Sequence, residues 1–121
     1  MGIIKRKSTE QKEQIRFVQY VRTFYPNIIV ASIPNGAGVS ASNRFKLVHE
    51  GLLAGMPDIM LIGEDNNIMF LEFKRPDGKG VVSEEQSLMH KRLRDCGFQV
   101  VIVESCAEAK EALSNWCDRI H

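Results

Sequence analysis

Two acidic residues and a lysine stand where two neighbouring segments of the chain could bring them together. Asp58 opens one apolar segment, and Glu72 and Lys74 lie near the end of the next one. Residues two apart on a β-strand point to the same face, so Glu72 and Lys74 should project together while Phe73 points the other way. If the two strands form a hairpin, Asp58 and Glu72 meet at its open end.

Two carboxylates at one place repel each other unless a cation lies between them. Carboxylate, carbonyl and water oxygens are the ligands that a hard divalent ion such as Mg²⁺ or Mn²⁺ prefers. Such an ion polarises a phosphodiester and helps to generate the nucleophile, while a neighbouring lysine could orient or deprotonate the attacking water. Asp58, Glu72 and Lys74 therefore predict metal-dependent hydrolysis of a nucleic-acid backbone.

The tripeptide from Glu72 to Lys74 is not specific by itself. Glu-Xaa-Lys on a strand is common by chance, and the two charges could form a surface ion pair of little energetic value. However, the strand around them, residues 68–74, is otherwise apolar. Charges inside such a strand are unexpected without a partner, and this setting favours a functional role.

Hydrophobic periodicity and turn residues predict eight elements in the order α-β-α-β-β-α-β-α. The short polar linker between the second and third strands predicts an antiparallel hairpin. The helix between the third and fourth strands predicts a parallel crossover. We expect an α/β fold with a central mixed sheet flanked by helices, in one domain over residues 1–121 with a basic tail at 1–7. The predicted segments are 8–25, 28–33, 42–53, 58–62, 68–74, 83–97, 98–103 and 107–120.

Helical spacing also predicts which side chains of the helices face inward. Ser8 with Gln11 fits a capping box at the start of the first helix. In the second helix, the inward-facing residues should be Phe45, Leu47 and Val48. In the third helix, His90 shares a face with Gln86 and Leu93, so the spacing favours a packed histidine over a ligand.

Composition places limits on the class of protein. The chain has 121 residues, 16 Lys and Arg, 15 Asp and Glu and a net charge of +1, so it lacks the overall basic charge of a simple nucleic-acid binder. A basic face opposite an acidic face and a solvated mixture of charges both remain open. Three widely spaced cysteines indicate neither a disulfide framework nor a CxxC metal site. No apolar run is long enough to cross a bilayer, so we expect a cytoplasmic protein of a phage or bacterium, with no membrane partner.

The motifs resemble the PD-(D/E)XK nuclease superfamily, and within it the VRR-NUC branch of virus-type replication-repair nucleases. The resemblance lies in GMPDI at 55–59, LEFKRP at 71–76 and SEEQ at 83–86, and extends more weakly through IPNG at 33–36 to the first helix. It implies a restriction-endonuclease-like core. It also implies Mg²⁺ or Mn²⁺ held by Asp58, Glu72 and the backbone carbonyl of Phe73, with Lys74 as the catalytic lysine.

Two further site residues follow from the resemblance. A glutamate of the first helix should join the metal site; Glu10 fits this place best, and Glu13 is the rival. Gln86 matches the family's glutamine, which would touch a water on the metal or the scissile phosphate. As the third residue after Ser83, Gln86 is equally well explained as a capping-box partner.

The resemblance implies a homodimer that acts on branched DNA, such as four-way junctions, with one active site per protomer. We expect phosphate contacts from polar and basic residues around the site. For the loop that follows Lys74, a solvated charged loop is the alternative. The residues expected to bind DNA are Asn35, Arg44, Lys46, Arg75 and Lys79.

Two other interpretations stay open. The first is a dinucleotide site, because GAGVSA at 36–41 fits G-x-G-x-x-A after a strand and Asp58 stands about twenty residues beyond Gly38. Against it, Pro34 and Asn35 intervene, the chain is short, and Glu72 and Lys74 stay unexplained. The second is a catalytically inert nucleic-acid-binding module of the same fold, which would have no use for paired carboxylates near phosphate.

Overall fold

The computed structural model of the protein describes residues 9–36, 38–75 and 80–120. Its helices and strands follow each other in the predicted order α-β-α-β-β-α-β-α. The predicted cap at Ser8 and the basic tail lie outside the described residues. The elements are α1 (Thr9–Phe24), β1 (Ile29–Ser32), α2 (Ala41–His49), β2 (Ile59–Ile62), β3 (Ile68–Phe73), α3 (Glu84–Asp95), β4 (Gln99–Val103) and α4 (Cys106–Ile120).

The four strands form one mixed sheet in the order β1-β2-β3-β4. β2 pairs antiparallel with both β1 and β3, whereas β3 and β4 are parallel. The β2–β3 hairpin turns through Asp65 and Asn66, which have φ values of 58° and 64°; aspartate and asparagine tolerate this left-handed conformation better than most residues. α3 is the crossover between the parallel strands. The predicted α/β fold with a mixed sheet flanked by helices is confirmed.

α1 and α4 cover one face of the sheet and enclose the main hydrophobic core. Phe17 of α1 and Phe73 of β3 lie with their ring centroids 6.0 Å apart in this core. Because side chains alternate along a strand, the residues on either side of Phe73 must point to the opposite face. The core residues are Phe17, Val21, Val30, Ile59, Leu61, Met69, Leu71, Phe73, Val103, Ala109, Ala112, Leu113 and Trp116.

α3 packs against the opposite face, mainly on β4, and its Gln86 and His90 side chains approach Glu72 of β3. Phe70 and Phe98 meet there edge to face, with centroids 5.9 Å apart. Glu72 and Lys74 follow Phe70 at alternate positions, and both are buried, as is His90 of α3. The predicted separation of Glu72 and Lys74 from Phe73 is therefore confirmed, and α3 is the helix that faces the two charges.

The prediction for the second helix is wrong in two respects. α2 ends at His49 instead of residue 53, and it has no buried residue. Phe45 and Val48 are 65% and 50% exposed, and only Leu47 is half-buried. Helical spacing shows which side chains share a face, but it does not show whether another element covers that face.

The loop between α2 and β2 is anchored to α3 by Gly55. This residue has φ +85°, and a Cβ atom at its position would lie 2.5 Å from the carbonyl oxygen of Glu85. Glycine is therefore required both by the backbone conformation and by the close approach of the two segments. The contact holds the residues before Asp58 against the first turn of α3.

Cys96, Cys106 and Cys117 are all free thiols. Among the described residues, no helix combines the length and apolar character needed to cross a membrane.

Candidate active site

Asp58 reaches across the open end of the β2–β3 hairpin. It directly precedes β2, whose first residue Ile59 pairs with Leu71. Its Oδ2 accepts a hydrogen bond of 2.8 Å from the backbone N–H of Phe73. Its own carbonyl accepts from the N–H of Ile33 at 2.8 Å, which ties the residue to the end of β1. The carboxylate thus lies beside β3 where Glu72 emerges.

Glu72, Lys74 and Gln86 form a connected set of polar contacts under α3. Glu72 is 2% exposed, and its Oε2 accepts a hydrogen bond of 3.1 Å from Nε2 of Gln86. The same oxygen lies 3.3 Å from Nζ of Lys74. Nζ in turn donates to Oε1 of Gln86 at 2.9 Å. Lys74 is itself 8% exposed, so the ion pair is an interior one and not the surface pair that the isolated tripeptide allows.

Gln86 serves the helix cap and the site at once. Its Oε1 accepts from the N–H of Ser83 at 3.1 Å, and its own N–H donates to Oγ of Ser83 at 3.1 Å. This is a complete capping box. The two explanations of Gln86 are therefore compatible, because the residue that starts α3 also contacts Lys74 and Glu72.

Burial and a neighbouring negative charge perturb Glu72. The pKa of Glu72 is raised from 4.5 to about 7: desolvation is the largest cause, the charge of Asp58 adds to it, and Lys74 acts in the opposite direction. A second group on the same face is perturbed in the opposite sense. Burial lowers the pKa of His90, and the charges of Arg94 and Lys74 add to the effect. The imidazole of His90 is therefore neutral at neutral pH.

The donor set suits a hard divalent ion. Asp58 and Glu72 supply carboxylate oxygens at one place, and Oε1 of Glu72 is buried with no hydrogen-bond partner among the described residues. The N–H of Lys74 donates to Val103 of β4 at 2.8 Å. Since backbone groups alternate along a strand, the carbonyl of Phe73 must point away from β4, to the side of Asp58. All three predicted oxygen donors fit Mg²⁺ or Mn²⁺.

The two candidate glutamates of α1 differ in what they contact. Glu13 is engaged elsewhere: Oε1 accepts from the N–H of Cys106 at 2.9 Å, at the first residue of α4, and Oε2 accepts from Arg16 at 2.8 Å. Glu10 is half-buried. In the described segments 9–36, 38–75 and 80–120, no three His, Cys, Asp or Glu side chains form a group able to hold a metal. Glu10 therefore does not join Asp58 and Glu72 in one cluster.

The residues expected to contact DNA divide into two groups. Asn35 and Arg44 line an open cleft of 290 Å³ together with Asp58 and Gln86, and Nη1 of Arg44 lies 3.4 Å from the carbonyl oxygen of Asn35. Lys46 and Arg75 are exposed and do not line this cleft. Lys79 lies outside the described residues.

The stability of the metal-free protein tests whether the pKa of Glu72 is raised. Between pH 4.5 and 7 the unfolded chain ionises Glu72 while the folded chain keeps its proton, so this residue lowers stability as pH rises through that window. We expect the free energy of unfolding of Glu72→Gln, relative to the original protein, to increase by about 3 kcal/mol from pH 4.5 to 7. His90 has the opposite dependence below its usual pKa, and the subtraction removes it.

The measurement is urea unfolding with a chelator at several pH values. Glu64→Gln, which removes a negative charge from the exposed hairpin turn, is the matched control and should show no such increase. An equal stability difference for Glu72→Gln at pH 4.5 and at pH 7 would contradict the assignment.

The fold does not fit the dinucleotide interpretation. That interpretation requires parallel strands around the glycine turn, whereas β1, which precedes Gly36, is an edge strand paired antiparallel with β2. The glycine instead allows a close approach, since a Cβ on Gly36 would lie 2.7 Å from Nη1 of Arg44.

Known proteins resemble this chain in sequence and in fold. The family model of the VRR-NUC domain matches residues 3–107. One similar solved structure, described as a VRR_NUC domain, is 19% identical, covers 89% of this chain and 97% of its own, and superposes with a TM-score of 0.62. A second, described as a VRR_NUC domain protein, is 16% identical, with coverages of 93% and 90% and a TM-score of 0.65. At these identities the two structures show the fold alone, and no individually curated protein matches the sequence. The family match, which spans most of the chain, shows that this protein belongs to the VRR-NUC family of nuclease-type domains.

Proposed function

We propose that the protein is a Mg²⁺- or Mn²⁺-dependent DNA endonuclease that hydrolyses phosphodiester bonds. The observation that carries this proposal is the buried carboxylate of Glu72, held beside Asp58 and in contact with Lys74 and Gln86. A protein that only binds DNA would gain nothing from a second negative charge in its interior near the phosphates. The catalytically inert module is therefore the weaker alternative.

Each residue of the site has a distinct role in this proposal. Asp58, Glu72 and the carbonyl of Phe73 would hold the divalent ion. When bound, the ion polarises the scissile phosphodiester and makes water more acidic. Lys74 would orient the attacking water or stabilise the negative charge that develops on the phosphate.

Gln86 would act through its neighbours as well as directly. Its amide holds Nζ of Lys74 and Oε2 of Glu72 in one arrangement, because the carbonyl oxygen accepts from the lysine and the amide nitrogen donates to the carboxylate. The capping box keeps this side chain at the first turn of α3. Loss of the amide would therefore disturb the lysine and the metal ligand together.

The substrate is proposed to be branched DNA, such as a four-way junction. Arg44 and Asn35 line the cleft that contains Asp58, so a phosphate in this cleft would meet a guanidinium next to the site. Lys46, Arg75 and Lys79 would extend the contacts along the backbone. The proposed preference for a branch rests on the size of the domain, which offers little surface, and on the family resemblance.

Cleavage of a four-way junction and of a linear duplex of the same length tests the activity. We expect cutting with Mg²⁺ or Mn²⁺, none with a chelator, and faster cutting of the junction. Asp58→Ala and Lys74→Met should each reduce the rate by about 100-fold or more, because the first removes a ligand of the ion and the second removes the positive charge beside the reacting phosphate. Lys91→Met, which changes an exposed lysine of α3 paired with Asp95, is the matched control.

The possible results separate the two functions. Junction binding by the original protein without cleavage under either metal would favour the inert binding module. Equal rates on the junction and on the linear duplex would contradict only the preference for branches.

We further propose that the protein acts as a homodimer. α3 covers β4 and the end of β3. The same face of β1 and β2 is covered less. The strand register places Ile29 opposite Ile62 and Ala31 opposite Met60 on this part of the face. Ile29 is 59% exposed and the other three are half-buried. A second copy against this face would bury these apolar side chains and bring two sites to one branched substrate.

Light scattering after size-exclusion chromatography tests the dimer. We expect the mass of a dimer for the original protein and that of a monomer for Ile29→Glu, because a buried unpaired carboxylate weakens an apolar interface. Phe24→Glu is the matched control, since Phe24 is 67% exposed but lies on α1, across the sheet. A monomeric mass for the original protein, or an undisturbed dimer for Ile29→Glu, would contradict this interface.

A further inference from the structure

His90 and Glu72 face each other inside the protein with one unused polar atom each. His90 lies one helical turn after Gln86 on α3 and is 1% exposed. Its Nε2 is 3.9 Å from Oε1 of Glu72. Both atoms are buried, and neither has a hydrogen-bond partner within residues 9–36, 38–75 and 80–120. A buried polar group without a partner costs stability, so two of them at one contact require an explanation.

The distance between Nε2 and Oε1 restricts what this contact can be. At 3.9 Å it is too long for a hydrogen bond, which needs about 2.7–3.2 Å between donor and acceptor. It is too short for a bridging water, because two hydrogen bonds that meet at a roughly tetrahedral angle hold the outer atoms about 4.5 Å apart. A movement of the Glu72 carboxyl by about 1 Å converts it into a direct hydrogen bond.

The other oxygen of Glu72 is already in use. Oε2 accepts from Gln86 and lies next to Nζ of Lys74. Oε1 is therefore the oxygen that still needs a donor, and the imidazole ring of His90 has an N–H to give. Carboxylates that bind metals are as a rule held by an outer hydrogen bond that sets their orientation.

We propose that His90 is a positioning residue of this site, and that its Nε2–H donates a hydrogen bond to Oε1 of Glu72 when the divalent ion is bound. The hydrogen bond holds the carboxylate in the orientation that the ion requires, against the repulsion from Asp58. This inference rests on the metal-dependent function proposed above. It goes beyond the expectation from helical spacing, which accounts for His90 only as a packed side chain.

A purely structural His90 and a positioning His90 respond differently to substitution. If the ring only fills space, an apolar residue of similar size serves as well or better. If the donor matters, His90→Leu fails and His90→Gln succeeds, because a glutamine amide can place an N–H near the position of Nε2. Met89→Leu, at the adjacent buried position of α3, is the matched control for repacking this helix.

The experiment measures Mn²⁺ affinity by calorimetry and the metal-free melting temperature for all four proteins. We expect the Kd of His90→Leu for Mn²⁺ to rise by about 10-fold or more. His90→Gln should recover most of that loss, and Met89→Leu should match the original protein. The metal-free melting temperature of His90→Leu should be unchanged or higher, because the leucine removes a buried nitrogen that has no partner.

The other results each overturn the inference. An unchanged Kd for His90→Leu would remove the positioning role and leave the nuclease proposal intact. A higher Kd that comes with a lower metal-free melting temperature, and no recovery in His90→Gln, would assign His90 to packing. Failure of the original protein to bind Mn²⁺ would overturn the proposed function itself, and the inference with it.

Two spectra of the original protein keep the inference testable even if His90→Leu does not fold. With Mg²⁺ bound, ¹⁵N NMR should show that the proton of His90 resides on Nε2, and the other tautomer would contradict the donor role. Electron spin-echo spectra of bound Mn²⁺ should show no directly coordinated nitrogen. Such a nitrogen, absent in His90→Gln, would make His90 a ligand instead of a positioning residue.

Discussion

The rest of the structure depends on one unfavourable contact, that between the carboxyl groups of Asp58 and Glu72. Burial and the charge of Asp58 raise the pKa of Glu72 to about 7. A protein keeps such an arrangement only when the surrounding groups hold it in place. Here the backbone N–H of Phe73 holds Asp58, and Gln86 and Lys74 hold one oxygen of Glu72. A divalent cation would balance the negative charge that remains on the two carboxylates.

The two faces of the sheet have different roles at this contact: one anchors β3 in the core, and the other carries the polar side chains of the site. Phe73 points into the core beneath α1 and α4, and this anchors β3 from one side. Glu72 and Lys74 point to the other side, toward α3. Gly55 brings the segment before Asp58 against α3, and the capping box brings Gln86 to the same place. The site is therefore formed by three elements that meet at one end of the hairpin, and each is secured by backbone contacts.

Much of this arrangement was predictable because it follows from local rules. The period of two along β3 separates Glu72 and Lys74 from Phe73, and the short turn places Asp58 beside them. Ser83 and Gln86 predict the start of α3 by capping alone. These predictions need only sequence neighbours or a single hairpin, for which spacing is informative.

The parts that sequence did not predict depend on contacts between distant elements. Glu13 caps α4 through Cys106, 93 positions away in the chain, and no periodicity indicates such a pairing. Phe45 and Val48 have helical spacing typical of a buried face, yet none of the described elements covers them. The shared face of His90 and Gln86 was predicted, but the approach of His90 to Glu72 required the packing of α3 on β3. Periodicity predicts faces, whereas the packing of whole elements decides what each face meets.

The central claim is that Asp58, Glu72 and the carbonyl of Phe73 together form the site of a divalent ion. The most direct test is a crystal soaked in Mn²⁺ and measured at a wavelength where manganese scatters anomalously. We expect one strong anomalous peak between the two carboxylates, within about 2.0–2.3 Å of their oxygens and of the Phe73 carbonyl oxygen. No peak there at a high concentration of Mn²⁺, or a peak bound only by other residues, would contradict this account.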